Sequence, residues 1–127
     1  RHAYQEGMRR RWRDEITIAE RKRYEGLWAS NKGLLMDYLP SLTNPSTDSP
    51  GDFVLNIIVR DLWRRSRLPD DELAEVWDLV DQTGRGMLTR HEFVIGLWVI
   101  DQRLKGRKIP TRIQESVWDS ARGVIIR

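Results

Sequence analysis

Cysteine is absent from the 127-residue chain, which excludes disulfide staples, thiolate metal sites and a cysteine nucleophile. Histidine occurs only as His2 and His91, too few for an imidazole-based zinc cluster. Long apolar runs are missing as well. The longest, residues 93–100, holds eight residues with a glycine among them, against the ~20 that a membrane-spanning helix needs. Glycine-rich phosphate loops, paired catalytic carboxylates and nucleic-acid-binding motifs are likewise lacking. No secretory pattern opens the chain, and a start at Arg1 suits a piece cut from a longer protein. These absences point away from an enzyme and towards a soluble intracellular module.

What is present is organised around residues 68–100. Leu73, Val76, Trp77 and Val80 fall at i, i+3, i+4 and i+7, one face of a helix. Pro69 suits a first helical turn, and Asp70, Asp71 and Glu72 complement the helix dipole there. Twelve residues later Phe93, Gly96, Leu97 and Ile100 repeat the helical spacing, opened by a Thr89/Glu92 capping box. Helix, twelve-residue loop, helix is the layout of an EF-hand.

A calcium loop supplies oxygens from positions 1, 3, 5, 7, 9 and 12, with glycine at 6. Here Asp81, Gly86 and Glu92 hold positions 1, 6 and 12, and Met87 offers a backbone carbonyl at 7. Thr83 at position 3 is a poorer ligand, and Arg85 at position 5 has no acceptor and adds a positive charge. The loop is therefore read as scaffold. No metal site and no other cofactor is expected, and a calcium-sensing switch is the least favoured reading.

The remainder fits a second, degenerate hand. A Thr17/Glu20 capping box opens a helix to about Ala29, with Tyr24, Leu27 and Trp28 inward. Residues 33–52 contain Pro40, Pro45 and Pro50 in a polar run, an inserted loop with no calcium chemistry. A strand over 53–55 should pair with Met87 and Leu88. Asn56 is expected to cap a helix over 57–65 with Val59, Leu62 and Trp63 on one side. Thr111 and Gln114 suggest a capping box for a last helix that buries Ile113, Val117 and Trp118 and stops at Gly123. Residues 1–23 carry eight Lys/Arg against four Asp/Glu. Tyr4, Met8 and Trp12 form a thin apolar stripe on an amino-terminal basic helix.

The expected architecture is all-α: paired EF-hands joined by a short two-stranded β-bridge, in one domain over 1–127. Its parts are a basic helical extension (1–15), a degenerate first hand (16–67) with its insert, a second hand (68–101) and a tail packed on the body (102–127).

Three motifs, S-x-L-P at 66–69, L-x-x-x-W-D-L-x-D at 73–81 and G-M-L-x-R-x-E-F at 86–93, resemble the core of an EH domain, the paired-EF-hand module of endocytic adaptors. The inserted first loop and charged extension look more like the fungal increased-rDNA-silencing type of EH protein, linked to phosphoinositide control and autophagy. The resemblance implies a monomeric, cytoplasmic module, peripheral to membranes, that binds Asn-Pro-Phe tripeptides between its second and third helices. Carried over to this chain, it places Trp77 at the pocket base with Leu73 and Ala74 beside it. Trp63 stands at an apolar wall position where leucine is usual, Arg60 at a basic position, and Asp70, Ser66 and Arg67 on the rim.

The chemistry is coherent without the family. Asn-Pro favours a tight turn that presents the following phenylalanine as a knob. Burying one Phe contributes roughly 2–3 kcal/mol and two or three hydrogen bonds about 1 kcal/mol each. The sum, less entropy, corresponds to a Kd of roughly 0.1–1 mM. The rival reading is a peripheral domain for acidic lipids, using the basic segments at 1–23 and 103–112 with the peptide pocket closed by Trp63 or the insert. Trp12, Trp28, Trp98 and Trp118 are read as core.

Overall fold

The computed structural model describes residues 14–36 and 50–123. Among these, five α-helices run in the order α1 (Ile18–Asn31), α2 (Asn56–Arg64), α3 (Asp70–Val80), α4 (Arg90–Leu104) and α5 (Glu115–Arg122). Strands β1 (Val54–Leu55) and β2 (Met87–Leu88) pair antiparallel, with Val54 opposite Leu88 and Leu55 opposite Met87. This is the all-α paired-hand architecture with its β-bridge. The apolar stripe of Tyr4, Met8 and Trp12 and the centre of the insert, residues 37–49, lie outside the described residues.

Helix α4 is the hub, packing on α1, α2, α3 and α5. Its sequence explains this, since Phe93, Val94, Ile95, Trp98, Val99 and Ile100 are all buried and leave it apolar nearly all round. On one side α1 lies against it, and the buried Tyr24 hydroxyl donates to Asp101. Burial, then that bond, raise the Tyr24 pKa above the ordinary tyrosine value. On the other side α5 contributes Val117, Trp118 and Ala121 to the same core. The Thr17/Glu20 and Thr89/Glu92 capping boxes both form.

In the degenerate hand, the two ends of the excursion meet. Gly33 donates its N–H to the Phe53 carbonyl at 2.8 Å, and Trp28 Nε1 donates to the Asp52 carbonyl at 3.2 Å. Gly33 has φ +77°, and a Cβ there would come within 3.2 Å of Gly51 Cα. Met36 and Phe53 then bury themselves with Leu55 and Met87 in a small second cluster under the bridge.

Three local expectations are corrected. Leu55, not Asn56, occupies the cap of α2, because the Asn56 N–H extends the bridge to the Gly86 carbonyl at 2.9 Å. Pro69 sits at the cap of α3, one residue before its first turn. The Thr111/Gln114 box does not form, and α5 starts only at Glu115. Its start is set instead by ties to a distant segment: Ser116 Oγ donates to the Asp14 carbonyl at 2.6 Å and Ser120 Oγ accepts from the Ile16 N–H at 2.8 Å.

Candidate functional site

The site begins with the way α2 and α3 diverge. Ser66 Oγ donates to the Trp63 carbonyl at 2.7 Å and accepts from the Leu68 N–H at 3.3 Å, closing the end of α2. Arg67 then adopts φ +69°, a left-handed turn that aims the chain into α3. The two helices leave between them an open cavity of about 360 Å³. From α3 it receives Leu73, Ala74 and Trp77, with Asp70 at the mouth. From α2 it receives Val59, Arg60 and Trp63, and the first turn adds Asn56 and Ile57.

Six of the residues expected at this site are therefore brought together: Trp77, Leu73, Ala74, Trp63, Arg60 and Asp70. Ser66 and Arg67 do not line the cavity, because their role is to make the turn just described. Asn56, Ile57 and Val59 were not anticipated as lining. The signal was available, since 56, 59, 60 and 63 form one i, i+3, i+4, i+7 face of α2.

The two tryptophans differ sharply in placement. Trp77 is partly exposed, and its Nε1 donates to Asp81 Oδ2 at 3.1 Å, which fixes the ring at the cavity base. Trp63 is only 2% exposed and meets Trp77 edge-on, with ring centroids 6.2 Å apart at 63°. Its benzo edge enters a socket on α4 that exists because residue 96 is glycine. A Cβ at Gly96 would lie 2.3 Å from Trp63 Cζ2. Trp63 therefore lines the cavity and does not close it, whereas the centre of the insert, the other closure in the rival reading, lies outside the described residues. The bulk of Trp63 goes into α4.

At the mouth Arg64 clasps Asp70 with both nitrogens, Nε to Oδ1 at 3.2 Å and Nη2 to Oδ2 at 2.8 Å. That bond holds the Asp70 carboxyl below the usual carboxylate range, with the charges of Arg64 and then Arg60 adding to it.

The loop of the second hand does not fit a calcium ion. Asp81 Oδ1 accepts from the N–H groups of Thr83 and Gly84, at 3.2 and 3.0 Å, while Oδ2 holds Trp77. Glu92, 1% exposed, accepts from Thr89 N at 2.8 Å and Gln82 N at 2.9 Å. All four carboxylate oxygens thus serve the loop and the cavity base, and the Arg85 guanidinium lies over the Phe53 ring at 5.1 Å, bridging the two hands. Among the described residues, no group of three or more His, Asp or Glu side chains could hold a metal.

Comparison with known proteins follows the same outline. The family model for the EH domain matches residues 42–123. The chain is 57% identical over 126 residues to increased rDNA silencing protein 4 of Pyricularia oryzae, covering 98% of this chain and 18% of that protein. It is 52% identical over 132 residues to the protein of the same name from Neosartorya fischeri, covering 97% of this chain and 26% of that one. The chain thus spans about a quarter or less of these relatives. Among solved structures, the second EH domain of AtEH1/Pan1 matches with a TM-score of 0.63 at 24% identity, over 84% of this chain and 88% of that one; this likeness speaks to the fold alone.

Proposed function

Since this chain belongs to the EH-domain family, a class of protein-interaction module and not of enzymes, we propose that it binds Asn-Pro-Phe segments of partner proteins between α2 and α3. The observation that carries this reading is the open cavity with the edge-bonded Trp77 ring at its base. A phenylalanine ring stacks on an indole and buries against Leu73 and Val59, while Asn56 at the first turn of α2 offers an amide to the polar part of the turn. One ring and a few hydrogen bonds give a Kd of roughly 0.1–1 mM. Such weak, fast exchange suits recruitment through several motifs acting together. In the cell the module would act as a monomer in the cytoplasm, peripheral to membranes, in trafficking, phosphoinositide regulation or autophagy.

Fluorescence polarisation with a labelled Asn-Pro-Phe peptide tests the reading. Saturable binding in the stated range is expected, weakened at least ~10-fold by Trp77→Ala with the circular dichroism spectrum retained. Wild-type protein that ignores the peptide, or Trp77→Ala that binds as well, contradicts it. The lipid reading makes the opposite forecast: salt-sensitive vesicle binding that survives Trp77→Ala.

A further inference from the structure

The link between α2 and α3, residues 65–69, carries a hydroxyl in an unusual setting. Ser66 is the one serine or threonine of the chain with an arginine directly on each side, Arg65 and Arg67, and Arg64 precedes them. Both flanking arginines are exposed and Ser66 is half-buried. Its place is the carboxy-terminal end of α2, where the Trp63 carbonyl accepts from Ser66 Oγ at 2.7 Å and from Ser66 N at 3.0 Å. The Leu68 N–H donates to the same Oγ at 3.3 Å, a long bond. These bonds are local, so the link can be drawn out without parting α4 from its neighbours.

We infer that Ser66 is a phosphorylation site for an arginine-directed protein kinase, and that the phosphate loosens α2 from α3 and lowers the affinity of the cavity for peptide. The regulation rests on the reading of that cavity as a peptide site. A kinase groove lined with carboxylates recognises guanidinium groups flanking an extended segment. Ser66 Oγ attacks the γ-phosphorus of a nucleoside triphosphate. The Oγ–P bond forms as the bond to the departing diphosphate breaks, and the hydroxyl proton passes to the kinase's base. The ester oxygen then has no proton to donate to the Trp63 carbonyl. A charge of about −1.5 to −2 now stands at the negative end of the α2 dipole. It also competes with Asp70 for Arg64, whose clasp lies in water, with side chains 46% and 68% exposed. Trp63, a wall of the cavity, sits on the turn that these changes unfasten.

The test incubates the folded chain with ATP and, in separate reactions, the catalytic domains of cyclic-AMP-dependent protein kinase and protein kinase C, and maps the phosphate by mass spectrometry. Phosphate on Ser66 is expected. Incorporation there slows at least ~10-fold in Arg65→Gln combined with Arg67→Gln, which alters exposed side chains and keeps the hydroxyl. The phosphorylated protein binds the Asn-Pro-Phe peptide at least ~10-fold more weakly than the unmodified protein, and phosphatase treatment restores binding. With no peptide present, the Trp63 indole N–H signal shifts on phosphorylation while that of Trp98 stays in place. An unlabelled Ser66 with both kinases, or labelling indifferent to loss of the two arginines, overturns the site. Equal peptide binding before and after phosphorylation overturns the regulation. If the unmodified protein ignores the peptide, the pocket reading fails instead, and the mapped phosphate with the Trp63 shift still decides whether Ser66 is the site and whether it loosens the turn.

Discussion

The α2–α3 face and the α4–α5 face each present two tryptophans, yet one is open and the other shut. Between α4 and α5, Trp98 and Trp118 are 5% and 8% exposed, and a guanidinium covers each ring, Arg107 and Arg122, both at 5.9 Å. Those cations are themselves tied down, Arg107 to Asp14 at 3.0 Å and Arg122 to Asp119 at 3.0 Å. What remains there is a crevice of about 50 Å³. Between α2 and α3 no such cation covers Trp77 among the described residues, and Trp63 is drawn into the Gly96 socket. The difference is not one of apolar content. It lies in where the second ring goes, and a glycine on a third helix decides that.

The largest effect should come from the shut face. Trp118→Ala removes a core ring and costs about 3–5 kcal/mol, read as a lower urea midpoint, while peptide affinity of the folded protein stays unchanged. If affinity falls in step with stability, the two faces are not separate. Next is Gly96→Ala, which sets a Cβ against Trp63 at 2.3 Å. Overpacking of this kind costs about 1–3 kcal/mol, partly offset by the better helix propensity of alanine, ~1 kcal/mol. The displaced indole should also weaken peptide binding. A variant that is as stable as wild type and binds as well would show that the socket is dispensable.

A smaller loss is expected for Arg107→Ala, about 0.5–1 kcal/mol from the cation over Trp98, with no new binding of the peptide at the α4–α5 face. The smallest effect is a change of slope with pH. Burial, then the charges of Arg90 and Arg122, lower the pKa of His91, and Glu25 opposes them. The unfolded chain therefore takes up this proton more readily than the folded one. Stability from His91 is complete above the unfolded value of about 6.5 and is lost as pH falls through the lower folded value. His91→Gln should flatten the thermal midpoint between about pH 7 and pH 5 relative to wild type; identical slopes would contradict this.

The parts of the molecule legible in the sequence are those decided locally. Thr17 with Glu20, and Thr89 with Glu92, form their capping boxes because both partners lie within one turn. Thr111 and Gln114 carry the same pattern, yet α5 is positioned by Asp14 and Ile16, about a hundred residues away. Asn56 was expected to cap, but its N–H belongs to a bridge with the other hand. The site divides in the same way. Leu73, Ala74 and Trp77 follow from one motif on one helix, and resemblance to a family locates them. The Gly96 socket and the Arg64–Asp70 clasp are contacts between elements, and no periodicity within either element announces them. The meeting of Gly33 with Gly51 shows how the ends of the proline-rich insert are joined, a contact that the local turn residues alone do not announce.

The account stands or falls on whether the indole at residue 77 faces a site that takes an aromatic side chain. An NMR titration of the labelled protein with a short Asn-Pro-Phe peptide measures this directly, since each tryptophan contributes its own indole N–H signal. The account predicts progressive shifts for Trp77 and Trp63 and for amides around 59–60 and 73–74, with the Trp98 and Trp118 signals unmoved. Shifts confined to Trp98 and Trp118, or a spectrum unchanged at millimolar peptide, would contradict it.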